Sequence, residues 1–480
     1  MQKRFIINLG ILLLLNLLVK PFYILGIDAE IQNRVGAEIY GNYFALLNIS
    51  FLFNMLLDLG VTNFNTRNIA QHNHLFSKHF SSLVTLKFSL TLFYVLVTFG
   101  FALITGLDSY QFKLLGALAI NQFLVSMILY FRSNLSGLHL FVQDSIVSVL
   151  DRLILIAFCS ILLWGNVTEE PFKIEWFIFG QTFAYGLTAL IAFGIVVKKA
   201  RIFKPRINIP FTWAILKRSF PYALLVILMS MYNRIDSIML ERMLEDGKIQ
   251  AGIYAQGFRL LDAVNMFAFL FAVLLLPIFS KQLKNKENFV PLLKLSSKLL
   301  LSSAITVGII GFIYQYEIMA LRYTDYLQSA SENFGILILS FIAVSTTYVF
   351  GTLLTSNGSL KELNYMAVIG IVVNIGLNLV LIPKYQAYGS AIATLITQSA
   401  TALIQLLLAQ YLFKLKVNYK LLAQILGFVG GVIAIGILCK SNFANVNLGL
   451  ITALLSCLAL SILIRLFSFR ELISILKYDK

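Results

Sequence analysis

The chain has 480 residues, of which 59% are apolar or aromatic and only 12% charged. Soluble domains run roughly 45–50% apolar and about 25% charged, so a soluble globular protein is excluded. At about 20 apolar residues per crossing, the composition supplies about fourteen membrane spans and leaves no room for a large soluble catalytic domain. The excess of 38 Lys+Arg over 22 Asp+Glu, a formal +16, would point to nucleic acid in a soluble domain. In a membrane protein it asks instead which side carries the positive loops.

Lys3 and Arg4 precede an apolar run to about residue 25. The run is too long for a signal-peptide core and no small-residue cleavage site follows, so it reads as an uncleaved first span. Thirteen further segments of spanning length follow, over 40–62, 81–105, 112–132, 142–165, 174–197, 213–240, 252–279, 291–315, 332–356, 363–382, 388–413, 419–440 and 446–468. Connections are short, and no strand-like alternation between turns supports a β-barrel. Alternate loops carry the cations: Lys3 and Arg4, then Arg67 and Lys78, then Lys198 to Arg218, then Lys281 to Lys298, then Lys414, Lys416 and Lys420. The loops between them hold Asp28, Glu30 and Glu38, then Glu169, Glu170 and Glu175, then Glu241, Glu245 and Asp246, then Glu317, Asp325 and Glu332. The positive-inside rule therefore predicts both termini in the cytoplasm.

The basic stretch 198–218, with Pro205 and Pro210, is the strongest shift in composition. It predicts an N-terminal lobe of six spans over 1–200, a cytoplasmic linker over 201–212, a C-terminal lobe of six spans over 213–413, and an added helix pair with a tail over 414–480. Residues 37–47 and 251–261 match at six of eleven positions, an offset of 214. Both copies open a span in the same direction, as parallel repeats require.

Charges inside a span cost about 2.5–3.5 kcal/mol each and mark a pathway or a pair. Eight are read as lying in the span interiors, four of each sign: Lys20, Asp58, Asp151, Arg152, Arg234, Asp236, Arg259 and Asp262, while Lys87, Lys113, Asp144 and Arg465 are read as interfacial. Arg259 and Asp262 share a helix face at i,i+3 and can pair toward a wet cavity. Arg234 and Asp236 point to nearly opposite sides of one span, and Asp151 and Arg152 diverge as neighbours. Asp58 lies near Arg67 in sequence and can pair with it. Lys20 either snorkels to the interface or lines the pathway. Asn374 and Asn378 share a face at i,i+4; with Asp236 and Thr394 they offer carboxylate, amide and hydroxyl oxygens, a hard-ligand set suited to a small cation such as Na⁺. Interhelical hydrogen bonding is the plainer use of the same groups.

Other signals are thinner. His72, His74, His79 and His139 fall in loops and read as solvated rather than metal-binding. Cys159, Cys439 and Cys457 are far apart in apolar stretches and indicate neither a disulfide nor a zinc site. Asp28-Ala29-Glu30 is an acidic D-x-E in the first loop, of the kind membrane glycosyltransferases carry, and reads here as a solvated acidic loop. No phosphate-binding Gly-x-x-x-x-Gly-Lys motif occurs, so ATP hydrolysis is not expected.

Three stretches, in order, resemble a known pattern. Val35-Gly36-Ala37-Glu38-Ile39-Tyr40-Gly41-Asn42-Tyr43 leads to Leu57-Asp58-Leu59-Gly60 and Arg67-Asn68-Ile69-Ala70. Asp236-Ser237-Ile238-Met239-Leu240 leads to Ala251-Gly252-Ile253-Tyr254 and Pro277. Ile382-Pro383-Lys384-Tyr385 leads to Tyr388-Gly389-Ser390-Ala391-Ile392-Ala393-Thr394. Together they resemble bacterial oligosaccharide flippases of the multidrug/oligosaccharidyl-lipid/polysaccharide exporter superfamily.

That resemblance implies an all-α polytopic membrane fold of about fourteen helices, with two six-helix lobes in pseudo-twofold arrangement around a central cavity and a C-terminal helix pair. It implies a non-enzyme that moves undecaprenyl-diphosphate-linked oligosaccharide from the cytoplasmic to the periplasmic leaflet by alternating access, for O-antigen, capsule or exopolysaccharide assembly. It implies Lys20 and Arg259 with Asp262 as substrate-binding residues, to which the charges inside spans add Arg152 and Arg234, and it implies Asp236, Asn374, Asn378 and Thr394 as an ion site, with Na⁺ or H⁺ coupling. The sequence departs at Asn378, where the peptidoglycan-precursor branch has an aspartate, one carboxylate fewer for a cation. A diphosphate bears about two negative charges, which arginines can bind bidentately. No catalytic residue, metal centre or cofactor is expected. The expected partners are the lipid-linked oligosaccharide, membrane lipid and polysaccharide polymerase machinery, with no nucleic acid, in a bacterial cytoplasmic membrane. Two alternatives stand beside this reading: a cation-coupled drug exporter of the same superfamily, and a membrane glycosyltransferase using Asp28 and Glu30.

Overall fold

The computed structural model describes residues 15, 18–62, 65, 69, 76–138, 140–165, 167–200, 209–416 and 418–466. Every element among them is helical. Helical chain from residue 18 passes through a π-helical turn, Tyr23–Asp28, into α1 (Ala29–Leu52), which ends in a 3₁₀ turn, Asn54–Leu57. There follow α2 (Phe76–Ile104), α3 (Ser109–Gly137), α4 (Phe141–Trp164), α5 (Ile174–Ala200), α6 (Ile209–Met243), α7 (Gly247–Lys284) and α8 (Val290–Ile313). A short α9 (Gln315–Ala320) precedes α10 (Leu327–Asn357), α11 (Leu360–Phe413), α12 (Tyr419–Asn442) and α13 (Val446–Leu463).

Eleven described helices are long and apolar enough to cross a membrane, and the chain is a multi-pass membrane protein. One of them, α11, has 54 residues but breaks at Gln386 (φ 51°, ψ −132°), where Pro383 has already removed a donor; its two limbs are the two spans expected over 363–382 and 388–413. A Cβ on Gly389 would lie 2.4 Å from the Leu381 carbonyl, so the second limb turns straight back on the first. α1 stands at the expected second span. The first span lies mostly outside the described residues.

The first connection differs from expectation. Residues 26–39 read as an acidic loop, yet the chain is helical on both sides of a single break at Gly36 (φ 81°, ψ 167°), a conformation that only glycine adopts without strain. Asp28 is accordingly buried in the π turn rather than solvated.

The chain forms two compact units, Met1–Gly252 and Ile253–Lys480. The division falls within α7, beyond the basic linker, because α6 packs along α1. In the first unit α1 also packs on α3, α3 on α5 and α5 on α4. Asp108 and Gln111 start α3 with a reciprocal capping box, each side chain accepting from the other's backbone N–H. At the α1–α7 crossing the backbones nearly touch. A Cβ on Gly41 would lie 1.8 Å from the Lys248 carbonyl oxygen, and one on Gly252 would lie 2.0 Å from that of Ala37. Gln32 Nε2 donates to the Gly252 carbonyl at 3.0 Å. The repeated segments found in the sequence thus meet at their first turns.

In the second unit α10 packs on α8 and α11, and α8 on α12. Ile305, Ile310, Phe428, Val432, Ala453 and Cys457 form the core that fixes α12 and α13. Lys440 at the end of α12 donates to the Ile313 carbonyl (2.7 Å) and pairs with Glu317 (2.8 Å). The three cysteines are free thiols, and no His/Cys/Asp/Glu group able to hold a metal occurs among the described residues. His72, His74 and His139, and the His79 side chain, lie outside those described.

Candidate functional site

The first unit gathers cations around the π turn. On α4, Arg152 Nη1 donates to the Tyr185 hydroxyl of α5 at 2.6 Å. Its guanidinium carbon also stands 4.9 Å over the Tyr23 ring and 5.3 Å over that of Tyr185. Asp151 lies 3.8 Å from Arg152 Nε, so these neighbours pair instead of diverging; the long arginine stem bends back along its own helix. Lys20 and Arg132 share this electrostatic neighbourhood, and Arg132 is tied to Asp144 at 2.7 Å. A guanidinium in a span is costly. A charge-assisted hydrogen bond worth about 1.5–3 kcal/mol and two aromatic faces at about 0.5–2 kcal/mol each offset most of that cost. The side chain keeps 24% of its surface open. It is held in place with part of its surface uncovered.

Beside this cluster, Asp28 accepts from the Tyr40 hydroxyl at 2.7 Å with no exposed surface. Glu30 pairs with Arg34 at 2.9 Å. The D-x-E motif is therefore split between the protein interior and a surface pair, not presented in an open loop.

At the end of α1, Lys87 is buried to 1% exposure, although in sequence it reads as interfacial. Its ammonium donates to the Leu57 carbonyl (3.1 Å), Asp58 Oδ1 (2.6 Å) and Ser126 Oγ (2.7 Å). Asp58 also binds the Thr62 hydroxyl and backbone amide. Its ion-pair partner among the described residues is Lys87, from 29 residues away; Arg67, the partner expected from the sequence, lies outside those residues. Three acceptors complete the ammonium's hydrogen bonding, so this lysine pins the 3₁₀ turn to α2 and α3.

Along the α1–α6 seam, Arg234 donates to Asn48 (3.4 Å) and lies 5.2 Å over the Phe51 ring; Asn48 in turn donates to Ser237 at 2.7 Å. Asp236 is buried at 1% exposure while Arg234 is half-buried, as their spacing requires. Nearer the Gly41 crossing, Gln111 donates to both Asn42 (2.7 Å) and Glu241 (2.8 Å) and accepts from Arg242 (2.8 Å).

In the second unit Arg259 and Asp262 stand 3.9 Å apart, an i,i+3 pair with 12% and 21% of each side chain exposed. Asn378 Nδ2 donates to Asn374 Oδ1 at 3.2 Å, both fully buried. The Thr394 and Tyr254 hydroxyls are bonded at 3.1 Å. The ion-site residues thus fall in different units: Asp236 belongs to the first, while Asn374, Asn378 and Thr394 belong to the second. Of the substrate-binding set, Lys20 and Arg152 come together, Arg234 sits apart on the α1–α6 seam, and Arg259 with Asp262 belongs to the second unit. Sequence reasoning passed over Arg132, Lys87, Tyr23 and Tyr185. Only Lys87, a lone cation inside the apolar run 81–105, left a signal there.

A family model described as polysaccharide biosynthesis protein matches residues 6–283, more than half of the chain. An uncharacterized membrane protein of Methanocaldococcus jannaschii is 30% identical over 201 residues, which cover 40% of this chain and 45% of that relative, so the chain spans less than half the length of this curated relative. Among solved structures, a lipid II flippase MurJ in an inward closed conformation aligns over 98% of this chain and 99% of its own, at 15% identity and TM-score 0.72. An inward-facing multidrug resistance MATE family transporter of the MOP superfamily aligns over 81% and 94%, at 12% identity and TM-score 0.59. The Vibrio cholerae MATE transporter VcmN in its bent form aligns over 84% and 95%, at 13% and TM-score 0.56. These similarities establish the fold as the one those transporters share.

Proposed function

The chain belongs to the polysaccharide biosynthesis protein family, and from that premise we propose that it is a flippase for lipid-diphosphate-linked oligosaccharides. The observation that carries the reading is the anchored, partly open guanidinium of Arg152, in whose field Lys20 lies, inside a membrane-spanning unit. A cation cluster there serves a substrate whose headgroup is a diphosphate, since the fixed positive charges replace water around the phosphates during the crossing. Arg234, on the α1–α6 seam of the same unit, adds a further cationic group. Lipid tails need no protein cavity because the bilayer already solvates them.

In this reading the chain is no enzyme. It lies in a bacterial cytoplasmic membrane with both termini inside, as the distribution of basic loops supports. The substrate is an undecaprenyl-diphosphate-linked repeat unit for surface polysaccharide, delivered outward to a polymerase. Within the second unit, Asn374, Asn378 and Thr394 supply amide and hydroxyl oxygens for Na⁺ or H⁺ coupling. A drug exporter for cationic compounds fits less well, because the aromatic-held, partly open group of this cluster is the guanidinium of Arg152. A glycosyltransferase acting through Asp28 and Glu30 fits least, since Asp28 is engaged by Tyr40 and buried.

The test is reconstitution in liposomes with a fluorescent lipid-diphosphate oligosaccharide. Wild-type protein should carry the label across the bilayer. Arg152→Ala should slow this at least ten-fold at normal insertion, and Arg152→Lys should keep part of it. Unimpaired transport by Arg152→Ala would remove the site.

A further inference from the structure

The second unit contains a polar seam that its apolar composition does not call for. On α10, Asn333, Ser340, Thr347 and Gly351 fall on one face, spaced by seven, seven and four residues. On the second limb of α11, Ser390, Thr394, Thr397, Thr401 and Gln405 do the same, spaced by four, three, four and four. All of the latter five are buried, at 3% exposure or less, and Asn333 and Ser340 have no exposed surface.

The two faces meet. α10 connects to the first limb of α11 through Gly358 and Ser359, and α11 reverses at Gln386, so α10 and the second limb run in the same direction. Gln405 Oε1 lies 2.2 Å from where a Cβ on Gly351 would stand. That contact sets the register. It brings Thr347 level with Thr401, Ser340 level with Thr394, and Asn333 within a turn of Ser390. From Asn333 to Gly351 the seam is about 27 Å long at about 1.5 Å per residue, close to the roughly 30 Å of a bilayer's hydrocarbon.

Threonines and serines in membrane helices commonly satisfy themselves on their own backbone, as Thr401 does on the Thr397 carbonyl. Along this seam several do not. Both amide atoms of Asn333, and Thr347 Oγ1, Ser390 Oγ, Thr397 Oγ1 and Gln405 Oε1, are buried and have no hydrogen-bond partner among the described residues. Buried polar atoms in a membrane interior are bonded to something, and between facing rows of hydroxyls and amides that something is water. Dry packing of small polar residues would leave all six atoms unsatisfied along two aligned rows.

We propose that the α10–α11 seam holds a file of water molecules, along which a small monovalent cation reaches the Thr394–Tyr254 hydroxyl pair from the Lys414 end. The water file stands on the seam's geometry alone. The cation route rests on the transporter reading above and goes beyond it, because it adds an entry path lined by Thr347, Thr397, Thr401 and Gln405.

A reporter is built in. The Met366 sulfur lies 3.9 Å from Gln405 Nε2, and Met366 is only 1% exposed. Met319, fully buried, belongs to α9, outside the seam, and serves as internal control. Millisecond X-ray hydroxyl-radical labelling of the full-length protein in detergent should oxidise Met366 at least ten-fold faster than Met319, because radicals form from the seam's own water. Gln405→Leu and Thr397→Val should bring Met366 down toward the Met319 rate, while Thr397→Ser should keep the wild-type rate. Equal slow labelling of both methionines in the wild type overturns the water file. The cation arm is read in liposomes as the dependence of substrate flipping on a Na⁺ or a proton gradient. Gln405→Leu should reduce the stimulation by whichever cation is active at least five-fold, with normal gradient-free flipping. Unchanged stimulation in a variant whose Met366 has become protected overturns the route. Absence of flipping by the wild-type protein under every gradient would overturn the transporter reading and the cation route with it, while the methionine labelling still decides the water file.

Discussion

Substitution of Gly41 by alanine tests the α1–α7 crossing directly. The new methyl carbon would start 1.8 Å from the Lys248 carbonyl oxygen and 2.5 Å from the Gly252 nitrogen. Backbone atoms cannot swing aside as a side-chain end can. The helices must separate until the contact reaches at least 3.0 Å, a shift of about 1.2 Å. A gap of 0.5–1 Å already forfeits a quarter to a half of the dispersion well, and the Gln32 bond to the Gly252 carbonyl, 3.0 Å in the wild type, would stretch beyond bonding range. Lost packing together with one hydrogen bond worth about 1 kcal/mol gives roughly 2–3 kcal/mol. That is about a 30- to 150-fold shift toward states in which this crossing is parted. The assay is maleimide labelling of Ala37→Cys, with Cys159, Cys439 and Cys457 replaced by alanine. Ala37 is 4% exposed, so its cysteine should react slowly with Gly41 present and at least ten-fold faster beside Gly41→Ala. Unchanged labelling together with an unchanged melting temperature would refute the close crossing and the reasoning built on it.

Lys87→Met should destabilise the protein by about 3 kcal/mol, read as a lower melting temperature in detergent, because it leaves the Asp58 carboxylate and the Leu57 carbonyl without their shared donor. Arg67→Ala should leave that melting temperature unchanged. Tyr40→Phe removes the hydroxyl that donates to Asp28 and should cost about 1–3 kcal/mol, whereas Glu30→Gln disturbs only an exposed pair and should change neither stability nor transport. Asn378→Asp puts a carboxylate beside Asn374, so Na⁺ should raise the variant's melting temperature more than the wild type's; equal responses would argue against a cation at this position.

The spans were legible because a bilayer demands about 20 apolar residues regardless of neighbours. α4, α5 and α12 begin within a residue of where the composition puts them. The first connection was not legible, for a related reason. Asp28, Glu30 and Glu38 look like loop residues to any argument based on lipid exposure, but a helix that faces protein on several sides can bury a carboxylate against a tyrosine. Asp58 shows what reading pairs along the chain leaves out: an ammonium from α2, 29 residues away, reaches it. Where helix geometry alone decides a contact, as for Asn374 with Asn378 or Arg259 with Asp262, the spacing was sufficient.

The π turn at Tyr23–Asp28 acts as a phase shift in the chain's helical clock. A π turn takes one more residue than the α ladder provides for, and deleting one residue inside it would restore the ladder. Everything before the turn would then rotate by about 100° and advance by about 1.5 Å relative to α1. Lys20 would leave the azimuth it shares with Arg152, although no side chain in the cluster had been altered. A single-codon deletion between residues 23 and 28 is therefore a different kind of change from any point substitution there. It would keep every residue of the cation cluster and lose their alignment.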